Sequence, residues 1–437
     1  MKTIAKKRMS FRVNPEGRNE ESGQSMILRR FLASLGMTTL FGILRRFIAS
    51  PGMTAVFVLI SLTTTSQVKY INTSFENASQ LDWQIDSNGV VNIGLIYDRE
   101  RSSPNRANGH WHFQVQAEPG SDVTIVLKNF ENIWNGIPGY PVSEKTNCMV
   151  SVDGKKWTHI PGEFTPEKFL KFKVHMETDK VYLASVEPYR ISDLDKFLAR
   201  IKVSPLVKIT PVGKTVEGRQ LEIITIGNPN APHSIFLRAR AHSWEPAGNW
   251  IVEGLVNSLL EKDASKYLKR YCVYIMPMTN KDGVARGRTR FNAQGVDLNR
   301  KWDAPADSVL APEKYAFEKW LKQMISKGKK PALAIDLHND QGGNVHVNLP
   351  KEDNKEYTKN LTRFVDLLFK HTWFTEGSAN VTNPGSLGEG LAKRFGVDAC
   401  IYEFNYEWAE GLKKVPMGDD WKLMGKQLRE VFYLYFE

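Results

Sequence analysis

The chain has 437 residues, of which 41% are hydrophobic and 24% are charged. This length suggests two or three domains that can each bury a core, and the composition is ordinary for a globular protein. The net charge of +11 is uneven, because residues 1–66 carry +7 and the remainder only +4. That remainder has no basic run with interleaved aromatic residues, which argues against nucleic-acid binding. The three cysteines, Cys148, Cys272 and Cys400, exclude a disulfide framework and are predicted to be small buried hydrophobic residues.

Residues 1–66 form a basic, apolar leader. The stretch I-L-R-R-F-L-A-S-L-G-M-T (27–38) recurs almost unchanged at 43–54, and A-V-F-V-L-I-S-L follows at 55–62. Basic residues, a short apolar stretch and then small residues predict a secretory signal segment. The stretch is too short for a stable membrane span. We therefore expect export to the periplasm or the medium. The alternative is a cytoplasmic protein whose translation start is mis-assigned.

Residues 67–187 are predicted to form an all-β sandwich domain, because short runs of β-branched and aromatic residues alternate with turn residues. The clearest runs are V-V-N-I-G-L-I-Y (90–97), H-W-H-F-Q-V (110–115), D-V-T-I-V-L (122–127) and K-V-Y-L-A-S-V (180–186). His110 and His112 alternate along one strand and therefore share a face. No further metal ligand stands at a suitable spacing, so a structural or surface role is favoured over a metal site.

Residues 188–437 are predicted to form an α/β domain with a mixed, mostly parallel sheet flanked by helices, because strands and helices alternate there. Ser192 or Asp193 is the expected cap of its first helix. The predicted strands are 234–240, 271–278, 332–337 and 400–404. The later predicted helices are 249–260, 314–325 and 357–369. Ligands in such domains gather outside the carboxyl ends of the strands.

Histidine and glutamate residues stand at several of these strand ends. His242 and Glu245 follow the first predicted strand in A-H-S-W-E-P, His338 follows A-L-A-I-D-L, and Glu403 lies near the end of C-I-Y-E-F. Two histidines and one glutamate, with a fourth position left for water, make a catalytic zinc set. A closed structural site would use cysteines, and no cysteine lies beside these residues. The pattern therefore favours a catalytic metal site.

The segment between these residues carries a family resemblance. It reads N-K-D-G-V-A-R-G-R-T-R-F-N-A-Q-G-V-D-L-N-R (280–300) and comes after R-A-H-S-W-E-P-A-G-N-W. Together these motifs resemble the zinc metallocarboxypeptidases of peptidase family M14, above all the cytosolic-carboxypeptidase branch and its bacterial relatives. The segment P-Y-R-I-S-D-L (188–194) resembles the end of that branch's N-terminal domain. The resemblance covers roughly residues 80–437, and Lys281 replaces the proline of the usual N-P-D-G-V.

The resemblance implies the metal site and its base. His242, Glu245 and His338 would bind one Zn²⁺ ion, which would activate a water molecule and polarise the scissile carbonyl. Glu403 would be the general base. Glu407 is its rival, but Glu403 lies inside the strand pattern and matches the family's final strand.

The resemblance also implies substrate-binding residues. Arg290 would stabilise the oxyanion, while Asn299 and Arg300 would bind the terminal carboxylate of the substrate. Arg286 and Arg288 are rivals of Arg290, and the ten-residue spacing to Arg300 favours Arg290.

The implied function is hydrolysis of the C-terminal peptide bond of peptides or proteins. Two alternatives stay open: a zinc amidase or acylase on cell-wall peptides or small amides, and an inactive carboxypeptidase-like binding protein. Asp336, two residues before His338, is either a partner of that histidine or a structural aspartate. No tyrosine lies between Tyr357 and Tyr402, so the mobile tyrosine of digestive family members has no obvious counterpart. The Gly-rich segment 383–392 should help to shape the specificity pocket. The sequence leaves the preferred C-terminal residue and the oligomeric state open.

Overall fold

The computed structural model describes residues 68–101, 103–347, 355–377 and 383–437. The predicted signal segment lies outside these ranges. No helix in the described ranges combines the length and apolar character needed to cross a membrane. All three cysteines are buried as free thiols, as predicted.

The first described part of the chain is a sandwich of short strands, which confirms the predicted all-β region. Its strands are β1 (Tyr70–Asn72), β2 (Leu81–Ile85), β3 (Val91–Leu95), β4 (His112–Gln116), β5 (Asp122–Lys128), β6 (Asn132–Trp134), β7 (Ile137–Gly139), β8 (Asn147–Ser151), β9 (Thr158–Pro161), β10 (Glu163–Phe164), β11 (Leu170–His175) and β12 (Lys180–Ala184). One sheet has the order β1-β4-β12-β8-β9 and the other β10-β11-β5-β3-β2, while β6 and β7 form a separate hairpin. Alternate side chains of β3 and β5 are buried, so one face of their sheet lies on the core. We call this part the sandwich domain.

The remainder is an α/β domain built on a seven-stranded sheet. Its strands are β13 (Val207–Lys214), β14 (Gln220–Ile226), β15 (His233–Ala239), β16 (Tyr271–Met276), β17 (Leu333–Asp340), β18 (Asn344–His346) and β19 (Asp398–Asn405). Its α-helices are α1 (Ile191–Ile201), α2 (Ala247–Leu259), α3 (Ser265–Arg270), α4 (Lys281–Ala285), α5 (Pro312–Ser326), α6 (Lys355–His371), α7 (Leu387–Phe395) and α8 (Gly418–Tyr435).

The sheet is mixed, with the order β13-β14-β16-β15-β17-β19-β18. The four central strands β16, β15, β17 and β19 are parallel to one another, and the outer strands pair antiparallel. Every residue of β16 is buried, which is expected for a strand covered on both faces. The carboxyl ends of the parallel strands meet at one edge of the sheet, where the candidate site residues were predicted to lie.

Helix α2 begins directly after the A-H-S-W-E-P segment and is fixed by close packing against α8. A Cβ atom on Gly254 would lie 2.0 Å from the carbonyl oxygen of Lys422, and one on Gly425 would lie 2.1 Å from that of Ile251. Two glycines therefore let the helix backbones approach more closely than any side chain would permit. This packing fixes the helix that follows the A-H-S-W-E-P turn.

Two details of the sequence prediction are wrong. Helix α1 begins at Ile191, so neither Ser192 nor Asp193 is its cap; Asp193 instead accepts the backbone N–H of Arg190 from inside the first turn, at 3.0 Å. Strand β17 continues to Asp340, because its pairing with β19 extends along the whole strand. His338 therefore lies within this strand and not after it.

The two parts of the chain are joined at Asn77 of the sandwich domain. Nε2 of His110 lies 3.1 Å from the carbonyl oxygen of Asn77, and Nδ1 of His112 lies 3.2 Å from its Oδ1. Nδ2 of Asn77 donates to the carbonyl oxygen of Val284 in α4, at 3.1 Å. Both histidines are buried at this junction, which agrees with the prediction of a structural role for them.

Candidate active site

Four predicted residues meet at the carboxyl edge of the parallel strands. His242 and Glu245 lie in the turn between β15 and α2, a turn that begins at Arg240 with a positive φ of 60°. Nε of Arg240 donates to the carbonyl oxygen of Ser243 at 2.8 Å and so stabilises the turn. On the neighbouring strands, His338 and Glu403 are register partners across the β17–β19 pair.

The ligand atoms of His242, Glu245 and His338 all lie within 4.8 Å of one another, and we call these residues the ligand triad. Nδ1 of His242 lies 2.8 Å from Oε1 of Glu245 and 3.1 Å from Nδ1 of His338. Oε2 of Glu245 lies 2.7 Å from Nδ1 of His338 without hydrogen-bond geometry. Among the residues that the structure describes, no other group of three His, Cys, Asp or Glu side chains could hold a metal ion.

Each imidazole of the triad is oriented by a carboxylate on its far side. Nε2 of His338 lies 2.8 Å from Oδ2 of Asp336, and Nε2 of His242 lies 3.2 Å from Oδ1 of Asp297. Asp336 is in turn paired with the buried Arg238, whose Nε donates to its Oδ1 at 2.8 Å. Carboxylates in this position fix the tautomer and raise the basicity of metal-binding histidines. The donor set and its surroundings therefore fit a zinc ion.

The electrostatics of the triad also favour a cation. Burial opposes charge on Glu245, but His242 and His338 outweigh it and hold the pKa of that carboxyl well below its usual range. Burial likewise opposes charge on His338, but Asp336, Glu245 and Glu403 outweigh it and raise the pKa of His338 well above its usual value. Positive charge is thus stabilised at the centre of the cluster, where a metal ion would lie.

Glu403 faces the triad from strand β19. Burial raises its pKa above the ordinary value; Glu245 and Asp340 raise it further, while His338 and Arg290 oppose the shift. Its Oε2 has no hydrogen-bond partner among the described residues. An unpartnered carboxylate oxygen beside a metal site can accept a proton from a water molecule.

A cavity of about 290 Å³ opens beside the triad, and we call it the central cavity. Arg290, Asn299, Arg300 and Glu403 all line it. Nε of Arg290 donates to Oδ2 of Asp297 at 2.8 Å, which holds the guanidinium in place beside the cavity. The structure thus brings together all seven residues predicted for the site.

The alternative candidates for the oxyanion-stabilising arginine and the general base make their contacts away from the central cavity. Arg286 pairs with Glu217 through its Nε, and Arg288 donates to the carbonyl oxygen of Asn292 at 2.9 Å. Glu407 accepts hydrogen bonds from the sandwich domain, including one of 2.6 Å from Oγ1 of Thr146. None of these three rivals is among the residues that line the central cavity.

The sandwich domain supplies one wall of the central cavity, which the sequence did not predict. Its contributions are Asn105, Trp134, Asn135, Tyr140 and Pro141. Oδ1 of Asn135 accepts a hydrogen bond from the guanidinium of Arg300 at 3.2 Å. The turn between β6 and β7 therefore reaches the predicted carboxylate-binding group.

Asp297 is the main residue of the site that was missed. It contacts both His242 and Arg290, and its Oδ2 also accepts from Nδ2 of Asn105 at 3.1 Å. Its position as the aspartate of G-V-D-L-N-R is the sequence signal that could have identified it as a site residue. Tyr406 also lines the central cavity, three residues after Glu403, and its hydroxyl donates to the carbonyl oxygen of Pro141 at 3.0 Å.

A triad of two histidines and a glutamate, beside a buried carboxylate at the carboxyl edge of a mixed α/β sheet, defines a metal-dependent hydrolase. Residues 194–366 match the family model described as zinc carboxypeptidase, and residues 71–185 match the cytosolic carboxypeptidase N-terminal domain. The chain therefore contains a zinc carboxypeptidase domain of peptidase family M14, preceded by an N-terminal domain of the cytosolic-carboxypeptidase type. The first model includes the ligand triad, whereas Glu403 lies beyond it.

Curated relatives agree with this family. Cytosolic carboxypeptidase 6 of Caenorhabditis elegans is 29% identical over 232 residues, which are 51% of this chain and 47% of the relative. An uncharacterized protein of Zymomonas mobilis is 30% identical over 199 residues, which are 45% of this chain and 50% of that protein. The chain spans about half the length of these relatives.

Solved structures share the fold of both domains. A metallo-carboxypeptidase of Burkholderia cenocepacia superposes with a TM-score of 0.74 at 22% identity, over 84% of this chain and 98% of that one. A metallo-carboxypeptidase of Pseudomonas aeruginosa, solved in complex with (2-guanidinoethylmercapto)succinic acid, gives a TM-score of 0.72 at 21% identity, over 84% and 100%. At these identities the likeness shows the fold.

Proposed function

We propose that this chain is a zinc-dependent carboxypeptidase that hydrolyses the C-terminal peptide bond of peptides or proteins. The observation that carries the proposal is that the ligand triad lies beside one cavity, whose lining includes two of its members together with Glu403, Arg290 and Arg300. A single zinc ion held by the triad would lower the pKa of a water molecule and polarise the scissile carbonyl.

Glu403 acts as the general base in this proposal. Its buried carboxylate lies opposite His338 in the strand register and keeps Oε2 free of hydrogen bonds from the described residues. It can take a proton from the attacking water and pass it to the leaving amine. Arg290, held by Asp297, stabilises the negative charge that develops on the carbonyl oxygen.

Asn299 and Arg300 bind the terminal carboxylate. Oδ1 of Asn299 accepts the backbone N–H of Leu387 at 2.9 Å, which leaves its Nδ2 to donate to a substrate. Nε of Arg300 has no hydrogen-bond partner among the described residues, and a guanidinium suits the planar carboxylate group. The Pseudomonas aeruginosa metallo-carboxypeptidase was solved with a succinic acid derivative, and a carboxylate ligand is what we propose for this cavity.

The test is release of the C-terminal amino acid from a panel of peptides that differ only in their last residue. Glu403→Gln should lower kcat by about 10²–10⁴-fold, the usual contribution of a general base, while retaining zinc. Glu407→Gln is the matched control, since that glutamate is also buried but lies outside the cavity, and it should retain activity. A chelator should abolish release.

Two outcomes would overturn the proposal. Equal cleavage of peptides with amidated C-termini would show that no terminal carboxylate is recognised, and would favour an amidase or acylase. Binding of zinc and of (2-guanidinoethylmercapto)succinic acid without cleavage of any amide would indicate a binding protein.

A further inference from the structure

A carboxylate of the sandwich domain binds the backbone of the loop that carries Arg290. Asp98 lies three residues after the end of β3. Its Oδ1 accepts the backbone N–H of Thr289 at 3.1 Å, and its Oδ2 accepts those of Arg290 and Phe291 at 2.6 and 3.0 Å. Hydrogen bonds to an ionised carboxylate are about twice as strong as neutral ones. Three consecutive amides of the loop are therefore fixed by one side chain from the other domain.

The same loop is also held by the α/β domain and by further contacts with the sandwich domain. Nδ2 of Asn280 donates to the carbonyl oxygens of Arg290 and Phe291, each at 3.1 Å. Oγ1 of Thr289 accepts the backbone N–H groups of Gly109 and His110, at 3.2 and 3.3 Å. The main chain at Arg290 thus has its N–H bound by the sandwich domain and its carbonyl bound by the α/β domain.

The side chain of Arg290 extends from this fixed backbone into the central cavity. Its guanidinium carbon lies 5.5 Å from the centre of the Trp134 ring, and its Nε donates to Asp297. A group that stabilises developing charge must be held within about 0.5 Å of its productive position. The position of the guanidinium depends on where the backbone of Arg290 lies, and Asp98 and Asn280 together fix that backbone.

We propose that Asp98 is a positioning residue for catalysis, acting through Arg290, so that the sandwich domain is a functional part of the active site. The proposal rests on the proposed function, in which Arg290 stabilises the transition state. It predicts that loss of the Asp98 carboxylate weakens the chemical step and leaves substrate binding largely intact, because Asn299 and Arg300 are held by other contacts.

The kinetic test uses the full chain with Asp98→Asn, Arg290→Ala and the double variant. Asp98→Asn should lower kcat about ten- to a hundredfold, the effect of a small misplacement of a catalytic group, with KM changed less than about twofold. In the Arg290→Ala background, Asp98→Asn should change kcat by less than about twofold. An equal loss of kcat in both backgrounds would overturn the proposal, because Asp98 would then act independently of Arg290.

Asp153→Asn is the matched control. The carboxylate of Asp153 also accepts two consecutive backbone N–H groups, those of Lys155 and Lys156, but within its own loop of the sandwich domain. This variant should keep the kcat of the wild-type protein. A loss as large as that of Asp98→Asn would show that any disturbance of the sandwich domain impairs the site, and would overturn the specific role of Asp98.

Amide hydrogen exchange provides a readout that needs no activity. In Asp98→Asn, peptides that span Thr289–Phe291 should exchange at least about tenfold faster, as expected for lost hydrogen bonds to a charged group. Exchange of strand β16 should not change. Unaltered exchange at 289–291 would overturn the proposal. If the wild-type protein releases no amino acid from any peptide, the proposed function fails, and the exchange result still decides whether Asp98 fixes the loop.

Discussion

Nδ1 of His242 and Nδ1 of His338 lie 3.1 Å apart, and each imidazole directs its Nε2 toward an aspartate. Two facing imidazole nitrogens can share only one proton, and the carboxylate of Glu245 lies within 2.8 Å of both. The polypeptide therefore builds a compact donor set that a divalent cation would satisfy better than protons do.

We therefore expect Zn²⁺ to stabilise the folded protein. At a free zinc concentration one hundred times its dissociation constant, binding should raise the free energy of unfolding by about 2.7 kcal/mol. Thermal unfolding of chelator-treated protein, with and without added Zn²⁺, measures this as a shift in Tm. The His338→Ala variant should show a much smaller shift. A shift of equal size in that variant would contradict zinc binding at the triad.

A second prediction concerns the aspartate behind His242. Asp297→Asn should lower zinc affinity about 10–100-fold, because a neutral amide orients and polarises the imidazole less than a carboxylate does. Competition with a chromophoric chelator measures the affinity. Asp307→Asn is the control, since that carboxylate accepts the backbone N–H groups of Val309 and Leu310 and contacts no member of the triad. Unchanged affinity in Asp297→Asn would contradict the role of this contact.

The site residues that the sequence predicted are those that stand in short local motifs or in apolar strands. His242 and Glu245 stand three residues apart after an apolar strand, and His338 and Glu403 lie in two further apolar strands, so the parallel sheet brings them together. The parallel arrangement of the central strands follows from the alternation of strands and helices along the chain. Strands β13 and β14 escaped prediction because they flank the parallel core, where the alternation of strand and helix does not apply.

The contributions of the sandwich domain could not be predicted in this way. Asp98 and Asn105 contact residues more than 190 positions away along the chain, and no periodic pattern records such a pairing. In the sequence, Trp134 looks like an ordinary strand residue. Only the structure shows that the turn after it contacts Arg300. Contacts between domains depend on how two finished surfaces fit, which hydrophobic periodicity does not specify.

A third prediction concerns Lys281, which stands where the usual motif has proline. Its Nζ lies 2.8 Å from both carboxylate oxygens of Glu222, and both residues are buried. Lys281→Met should lower the free energy of unfolding by about 3–5 kcal/mol, because it leaves a carboxylate buried without its partner. The double variant Lys281→Met with Glu222→Leu should recover most of this loss. Urea unfolding measures the free energy of unfolding of each variant. An equal loss of stability in the single and double variants would contradict the pairing of Lys281 with Glu222.

The last prediction concerns pH and the junction between the domains. Burial lowers the pKa of His110 from its usual 6.5 to about 4, although the hydrogen bond to Asn77 opposes the shift. The folded protein therefore keeps this histidine neutral at pH values where the unfolded chain is already protonated. The stability that it contributes is complete above pH 6.5 and is lost as the pH falls from 6.5 toward 4.

The measurement compares wild-type protein with His110→Gln, whose side-chain amide can still donate to the carbonyl oxygen of Asn77. Groups remote from His110 titrate equally in both proteins, so the difference between their free energies of unfolding reports on His110 and on its effect on the neighbouring His112. Between pH 7.5 and pH 4.5 the wild-type protein should lose about 2–3 kcal/mol more than the variant. Parallel stability curves over this range would show that His110 is protonated without unfolding. The imidazole would then not be enclosed at the junction in solution.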